Sequence, residues 1–100
     1  RVMAFNKLTN AEAERLAMLA EEAAEVIQII GKILRHGYAS HHPKNPKVTN
    51  RELLVAELAD FDGVRDLMLD AQDGIRVPHG ATTKAAKRKL LWARHQKDRT

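Results

Sequence analysis

The chain has 100 residues, with 13 acidic and 17 basic side chains, a net charge of +4 and no cysteine. A chain of this length forms one domain with a small core. The lack of cysteine excludes disulfides and thiolate metal ligands, and no apolar run approaches the roughly 20 residues that span a bilayer. We therefore expect a single domain over residues 1–100, a cytoplasmic location and no membrane partner.

The composition favours helices over strands, because aromatic residues are few and Ala, Leu, Glu and Lys recur throughout. Apolar residues recur at spacings of three and four, which is typical of helices. We predict an all-α fold, in which an antiparallel helical hairpin is followed by a C-terminal helix. The expected helices span approximately 10–36, 50–73 and 82–97.

The first helix begins after the capping residues Thr9 and Asn10 and ends near His36 and Gly37. Its apolar residues cover more than half of the circumference: Leu16, Met18, Leu19, Ala20, Ala23, Val26, Ile27, Ile29, Ile30, Ile33 and Leu34. One partner helix covers only one side of such a helix. We therefore expect self-association into a homodimer or homotetramer that resembles a four-helix bundle.

A loop over residues 37–49 follows, since Pro43 and Pro46 forbid a continuous helix. The second helix begins at a Thr49 or Asn50 cap and closes at Asp73-Gly74. Its apolar stripe consists of Leu53, Ala56, Val64, Leu67, Met68 and Ala71. On the opposite face an acidic ladder recurs every four residues and is expected to be solvated: Asp62, Asp66 and Asp70.

The third helix is expected to bury Ala86, Leu90 and Ala93, with Trp92 on another side. Basic residues are concentrated in this region: Lys84, Lys87, Arg88, Lys89, Arg94, Lys97 and Arg99. A basic segment can bind nucleic acid, meet the phosphates of a small substrate or form a solvated surface. We favour the last two interpretations over nucleic acid.

Two pairs of acids stand out, because each pair has a spacing of three residues and lies on an apolar helix face. Glu22 and Glu25 share the arc of the first helix that carries Ile29, and Glu57 and Asp60 lie on the apolar stripe of the second. Carboxylates aimed at a core are costly unless they are neutralised, and no comparable set of Lys or Arg faces inward. An antiparallel hairpin brings the pairs together, which predicts a Mg²⁺ site, with Mn²⁺ as the alternative.

Other site patterns are weaker. The spacing of His36, His41 and His42 does not suit a zinc site, and a di-iron centre would need Glu-x-x-His, which neither acidic pair provides. Five basic residues are candidates to contact the phosphates of a substrate, although each also suits a solvated surface: Lys44, Lys47, Lys84, Lys87 and Arg88.

The run Leu-Ala-Glu-Glu-Ala-Ala-Glu-Val-Ile over 19–27, followed by Glu-Leu-Ala-Asp over 57–60, resembles the EExxE…ExxD signature of MazG-like nucleotide pyrophosphohydrolases. The resemblance covers roughly residues 11–73. It implies an all-α enzyme that cleaves a nucleoside triphosphate to the monophosphate and pyrophosphate with Mg²⁺. It also implies metal ligands and catalytic acids among the motif residues: Glu22, Glu25, Glu57 and Asp60 as ligands, and Glu21 and Glu22 in catalysis, with Glu21 in a supporting or base-like role.

Two alternatives remain open. The first is an enzyme with the same core that acts on phosphoribosyl-ATP or dUTP. A non-catalytic helical module would instead bind nucleic acid or a partner protein through the basic C-terminal segment. Release of pyrophosphate that depends on magnesium would separate both enzyme hypotheses from the non-catalytic one.

Overall fold

A computed structural model describes residues 5–96 of the chain. It contains three helices: α1, Asn10–His36; α2, Asn50–Asp70; and α3, Ala81–Trp92. Within residues 5–96 there is no strand, only an isolated bridge between His41 and Thr49. The predicted all-α class is therefore confirmed. No helix in this range is long and apolar enough to cross a membrane.

α1 and α2 begin in the same way, with a reciprocal capping box. Thr9 Oγ1 accepts a hydrogen bond from the Glu12 N–H, and Glu12 Oε1 accepts one from the Thr9 N–H, at 3.1 and 2.8 Å. Thr49 and Glu52 repeat the arrangement at the start of α2. Each box satisfies backbone donors that a helix start leaves unpaired, so both predicted starts are fixed by local sequence.

α1 and α2 pack against each other as an antiparallel hairpin. The end of α1 lies beside the start of α2, where the Asn50 side-chain amide donates to the Gly37 carbonyl at 3.1 Å. The start of α1 lies beside the segment after α2, where Arg15 pairs with Asp73 at 2.8 Å. The buried apolar residues between the helices are Ile29, Val64 and Met68.

α2 ends earlier than predicted, at Asp70 instead of 73. The Asp73 N–H donates to the Met68 carbonyl, and the Gln72 N–H donates to the Leu69 carbonyl, both at 3.0 Å. This is the hydrogen-bond pattern of a Schellman cap, with Gln72 in the left-handed region at φ 61°. The closing residue is therefore Gln72, where the sequence pointed to Gly74. The exposed acidic ladder of α2 is confirmed: Asp62, Asp66 and Asp70.

α3 differs most from expectation. It spans Ala81–Trp92 and ends where Ala93 becomes extended, whereas the predicted span was 82–97, with residue 97 outside the described range. α3 packs against neither α1 nor α2, and none of its residues is buried. The predicted burial of Ala86, Leu90 and Ala93 is therefore wrong within a single copy, because one hairpin offers this helix no packing partner.

The hairpin leaves a second face of α1 uncovered. Ile27 is 69% exposed and Leu34 is 82% exposed, although both lie on a strongly apolar helix. Ile30 lies between them and is also exposed. Self-association through this face stays a prediction, and the uncovered residues are the physical reason for making it.

Candidate metal centre

The two acidic pairs meet between α1 and α2. Glu22, Glu25, Glu57 and Asp60 each present one carboxylate oxygen, and these four oxygens all lie within 4.8 Å of one another. The spacing of three residues places both acids of a pair on one helix face, and the antiparallel hairpin sets the pairs opposite each other. We call these four residues the carboxylate cluster.

The members of the carboxylate cluster differ in exposure. Glu22, Glu25 and Glu57 are half-buried, as the apolar arcs predicted, whereas Asp60 is exposed. The expectation that all four acids face inward is therefore correct for three of them. Asp60 lies at the edge of its apolar stripe, so it remains open to solvent.

Two oxygens of the cluster lack any partner in the described part of the chain. Glu22 Oε2 and Glu57 Oε2 are buried, and neither accepts a hydrogen bond from residues 5–96. A buried carboxylate oxygen without a donor loses its hydration and gains nothing in return. A third buried oxygen without a partner, Asn50 Oδ1, lies outside the cluster. A hard divalent cation would supply the missing interaction for both oxygens of the cluster.

The acids also perturb one another electrostatically. Burial raises the pKa of Glu22, and the neighbouring Glu25, Asp60 and Glu57 carboxylates raise it further. The pKa of Glu57 is raised first by the adjacent Glu25 carboxyl group and then by burial. Both shifts have the direction expected when like charges converge without a counter-ion.

The arginines of the hairpin do not neutralise the cluster. Within residues 5–96, the ion pairs are Arg15 with Asp73 and Arg65 with Asp62, and neither involves a cluster residue. The local excess of negative charge is thus uncompensated by salt bridges. This is the electrostatic setting in which a site binds cations instead of anions.

A cleft of about 280 Å³ opens beside the cluster. Its walls combine Glu25 and Glu57 with the apolar residues Ile29 and Leu53 and with two residues that sequence reasoning missed: Gln28 and Lys32. Lys32 lies seven residues after Glu25, so the helical period alone places it on the same face two turns away. It is the basic residue among those that line this cleft.

The other predicted site residues lie elsewhere. Glu21 is exposed and does not belong to the carboxylate cluster. Lys44 and Lys47 are exposed in the loop over 37–49. The three candidates on α3 are also exposed, on a helix that does not contact the hairpin: Lys84, Lys87 and Arg88. None of these five candidates lines the cleft beside the carboxylate cluster.

A second cavity, of about 390 Å³, lies between the end of α1 and the loop over 37–49. His36, His41 and His42 contribute to its lining, and none of them belongs to the carboxylate cluster. Asn50 also lines it and is only 1% exposed. Its role is visible in the backbone contacts: its N–H donates to the Ser40 carbonyl at 2.8 Å, which fastens the loop to the start of α2.

No family model, curated protein or solved structure matches this chain. The chemistry of the site is therefore inferred from its own residues.

Proposed function

We propose that this chain is a Mg²⁺-dependent nucleoside triphosphate pyrophosphohydrolase of the MazG-like type, which releases pyrophosphate and a nucleoside monophosphate. One observation supports this most: four carboxylates from two helices converge within 4.8 Å, in an order that resembles the EExxE…ExxD motif. The buried oxygens of Glu22 and Glu57 that accept no hydrogen bond within residues 5–96 support a cation as the missing partner.

The residues present fit a hard cation. Glu22, Glu25, Glu57 and Asp60 offer only oxygen ligands, which suit Mg²⁺ or Mn²⁺ and do not suit softer metals. When bound, Mg²⁺ neutralises phosphate charge and lowers the pKa of water in its shell. Asp60 is exposed, which leaves its side of the cluster accessible to a substrate phosphate.

The residues of the cleft have distinct tasks in this proposal. Ile29 and Leu53 form an apolar wall that limits the water around the reacting phosphate. Lys32 is positioned to hold the charge of the triphosphate beside the cluster. In the reaction, a water oxygen bonds to a phosphorus of the triphosphate, the phosphorus–oxygen bond to the leaving group breaks, and a water proton passes to a carboxylate. Attack on the α-phosphorus expels pyrophosphate, and attack on the β-phosphorus expels the nucleoside monophosphate. Glu21, next to Glu22 in the motif, is the proposed supporting base.

The proposal includes self-association into a homodimer or homotetramer. The second face of α1 supports it, because Ile27, Ile30 and Leu34 recur at three and four residues and stay exposed. If this face of α1 packs against the same face of a second copy, α1 and α2 of both copies form a four-helix bundle that contains both carboxylate clusters.

The same cluster would serve an enzyme specialised for phosphoribosyl-ATP or dUTP, since the metal ligands are shared and only the substrate pocket differs. The decisive experiment is therefore a substrate panel. Purified protein is incubated with the common ribo- and deoxyribonucleoside triphosphates, dUTP and phosphoribosyl-ATP, with Mg²⁺ or with a chelator, and pyrophosphate release is measured. We expect release that requires the metal. No release from any substrate with Mg²⁺ or Mn²⁺ would contradict the proposed function.

A further inference from the structure

Within residues 5–96, α3 packs against neither of the other two helices. It has 12 residues, no buried side chain and no side-chain cap at its N-terminus. Isolated helices shorter than about 12–15 residues are marginal in water, so a helix of this length needs a surface to pack on. The Schellman cap at Gln72 and the ion pair of Asp73 with Arg15 fix the start of the connection that leads away from the hairpin.

One face of α3 combines positive charge with an apolar end. The helix carries four basic residues and no acidic residue. Lys84, Arg88 and Leu91 follow at four and three residues, so they share a face, and Lys87 lies beside them. Trp92 follows at 89% exposure. A solvated helix gains nothing from an exposed Trp, whereas Trp and Arg are enriched in protein interfaces.

The hairpin offers a surface that complements this face in charge and polarity. The carboxylate cluster supplies uncompensated negative charge at the cleft. Met18 lies one turn before Glu22, and Leu67 lies two turns after Asp60, so each shares a helix face with an acid of the cluster. Both remain partly exposed, and the apolar residues Ile29 and Leu53 line the cleft itself.

We propose that α3 of a second copy of this chain lies over the carboxylate cleft, so that each site is completed by Lys84 and Arg88 of the other copy. The assignment of these residues to substrate phosphates rests on the proposed function, whereas the docking of α3 does not. The arrangement gives α3 a surface to pack on and brings more positive side chains to a cleft where, among residues 5–96, Lys32 is the basic residue of the wall. It also explains why the basic residues of α3 lie away from the cluster in one copy.

The docking is tested by cysteine cross-linking, for which the chain is suited because it has no cysteine of its own. One copy carries Gln28→Cys at the cleft, and a differently tagged copy carries Lys87→Cys on α3. A disulfide forms only when the two Cα atoms come within about 7 Å. We expect a cross-linked species that contains both tags after mild oxidation. Lys89→Cys, on another side of the same helix, is the matched control and should not cross-link to Gln28→Cys.

The contribution to the site is tested by complementation. Copies with Glu57→Gln are co-expressed with copies that carry Lys84→Gln and Arg88→Gln. Each parent alone should be nearly inactive. If α3 serves the other copy, half of the dimers are mixed and each has one intact site, so about a quarter of the unmodified activity returns. If α3 serves its own hairpin, no activity returns.

These experiments separate the inference from the proposed function. Pyrophosphate release without the Gln28–Lys87 cross-link overturns the inference and leaves the function in place. The cross-link without pyrophosphate release supports the docking and removes the function. Equal cross-linking through Lys89 overturns the inference. So does RNA binding that Lys84→Gln with Arg88→Gln abolishes, in the absence of any cross-link, because α3 would then be a nucleic-acid surface.

Discussion

Arg15 and Asp73 form a bidentate ion pair across 58 positions of sequence, with Nε to Oδ2 and Nη2 to Oδ1 both at 2.8 Å. Planar, two-point pairing of guanidinium with carboxylate is the strongest form of this interaction. The pair joins the start of α1 to the segment just after α2, so it closes the open end of the hairpin. Both side chains are largely covered, at 20% and 10% exposure.

The first prediction concerns this pair. Asp73→Asn should lower the melting temperature at pH 7, because the Arg15 guanidinium loses its charged partner. The hydrogen bond from Arg15 lowers the pKa of Asp73, so its stabilisation is fully present above the ordinary value of 3.8 and is lost as pH falls through the lower folded value. The difference between variant and unmodified protein should therefore shrink in strong acid.

The control for this prediction is the exposed pair of Arg65 with Asp62, whose shortest contact is 3.3 Å. Asp62→Asn should change the melting temperature very little, because exposed pairs contribute about 0–1 kcal/mol. Equal destabilisation by Asp62→Asn and Asp73→Asn would show that the two-point geometry of the Arg15 pair adds nothing.

The second prediction concerns pH and the carboxylate cluster. The pKa values of Glu22 and Glu57 are raised above the ordinary 4.5. A raised folded pKa means that the charged form is penalised, so stability is highest below the unfolded value and falls as pH rises through the folded value. Without metal, the urea midpoint should therefore increase as pH is lowered from 7 toward 4.5. Asp73 acts only at lower pH, so the two effects separate.

Glu57→Gln is the informative variant for this pH effect. It removes one of the repelling charges, so it should raise the urea midpoint at pH 7 in chelator and flatten its dependence on pH. A midpoint that rises with pH between 4.5 and 7 in the unmodified protein would mean that the acids of the cluster do not repel one another in the folded state.

The sequence predicted the parts of this structure that depend on local rules. The caps at Thr9 and Thr49 follow from their Glu partners three residues later, and the cluster follows from spacing and the hairpin. The Arg15–Asp73 pair could not be predicted, because no local pattern links residues 58 positions apart. The role of Gln72 as the closing residue of α2 could not be predicted either, because the left-handed backbone conformation at a helix end is most often adopted by glycine.

Two further features, the position of Lys32 and the packing of α3, could not be predicted for physical reasons. Lys32 could have been found from its period with Glu25, but a single lysine among many basic residues gave no reason to choose it. The apolar residues of α3 predict a buried face, but they do not identify the surface against which that face packs. Helix periodicity identifies an apolar face that is expected to be buried. It does not indicate whether the surface that buries it belongs to the same chain or to another copy.

The third prediction concerns metal binding. Millimolar Mg²⁺ should raise the melting temperature, because the cation relieves repulsion in the carboxylate cluster and binds only the folded chain. Stabilisation follows RT ln(1 + [L]/Kd), which is about 2.7 kcal/mol at a hundredfold excess over Kd. Glu57→Gln should remove the shift. The matched control is NaCl at the same ionic strength, and a shift of equal size in NaCl would point to screening instead of a site.

The fourth prediction concerns assembly. Leu34 is 82% exposed on the second face of α1, so Leu34→Glu should leave the hairpin folded while weakening self-association. Sedimentation should show a shift from dimer or tetramer toward monomer, with unchanged helical content by circular dichroism. Val77→Glu, an equivalent change at an exposed position outside α1, is the control. If the unmodified protein is already a monomer at micromolar concentration, the proposed self-association is wrong.

The last prediction compares two acids of α2 that are five residues apart. Glu57 is a half-buried member of the carboxylate cluster, whereas Asp62 lies about 140° around the helix on the exposed ladder. Glu57→Gln should remove nearly all pyrophosphate release, because one ligand oxygen and one formal charge are lost from the metal site. Asp62→Asn should leave stability within about 0.5 kcal/mol and the rate nearly unchanged, as expected of a surface substitution.

Both variants are measured for turnover and for stability in the same buffers, so that loss of activity is not confused with unfolding. Equal loss of turnover in the two variants would mean that the acidic ladder also acts in the reaction. Full activity in both variants would mean that the carboxylate cluster takes no part in the reaction, which would contradict the proposed function. Loss in Glu57→Gln alone, at unchanged or higher stability, is the result that assigns chemistry to the face of α2 that meets α1.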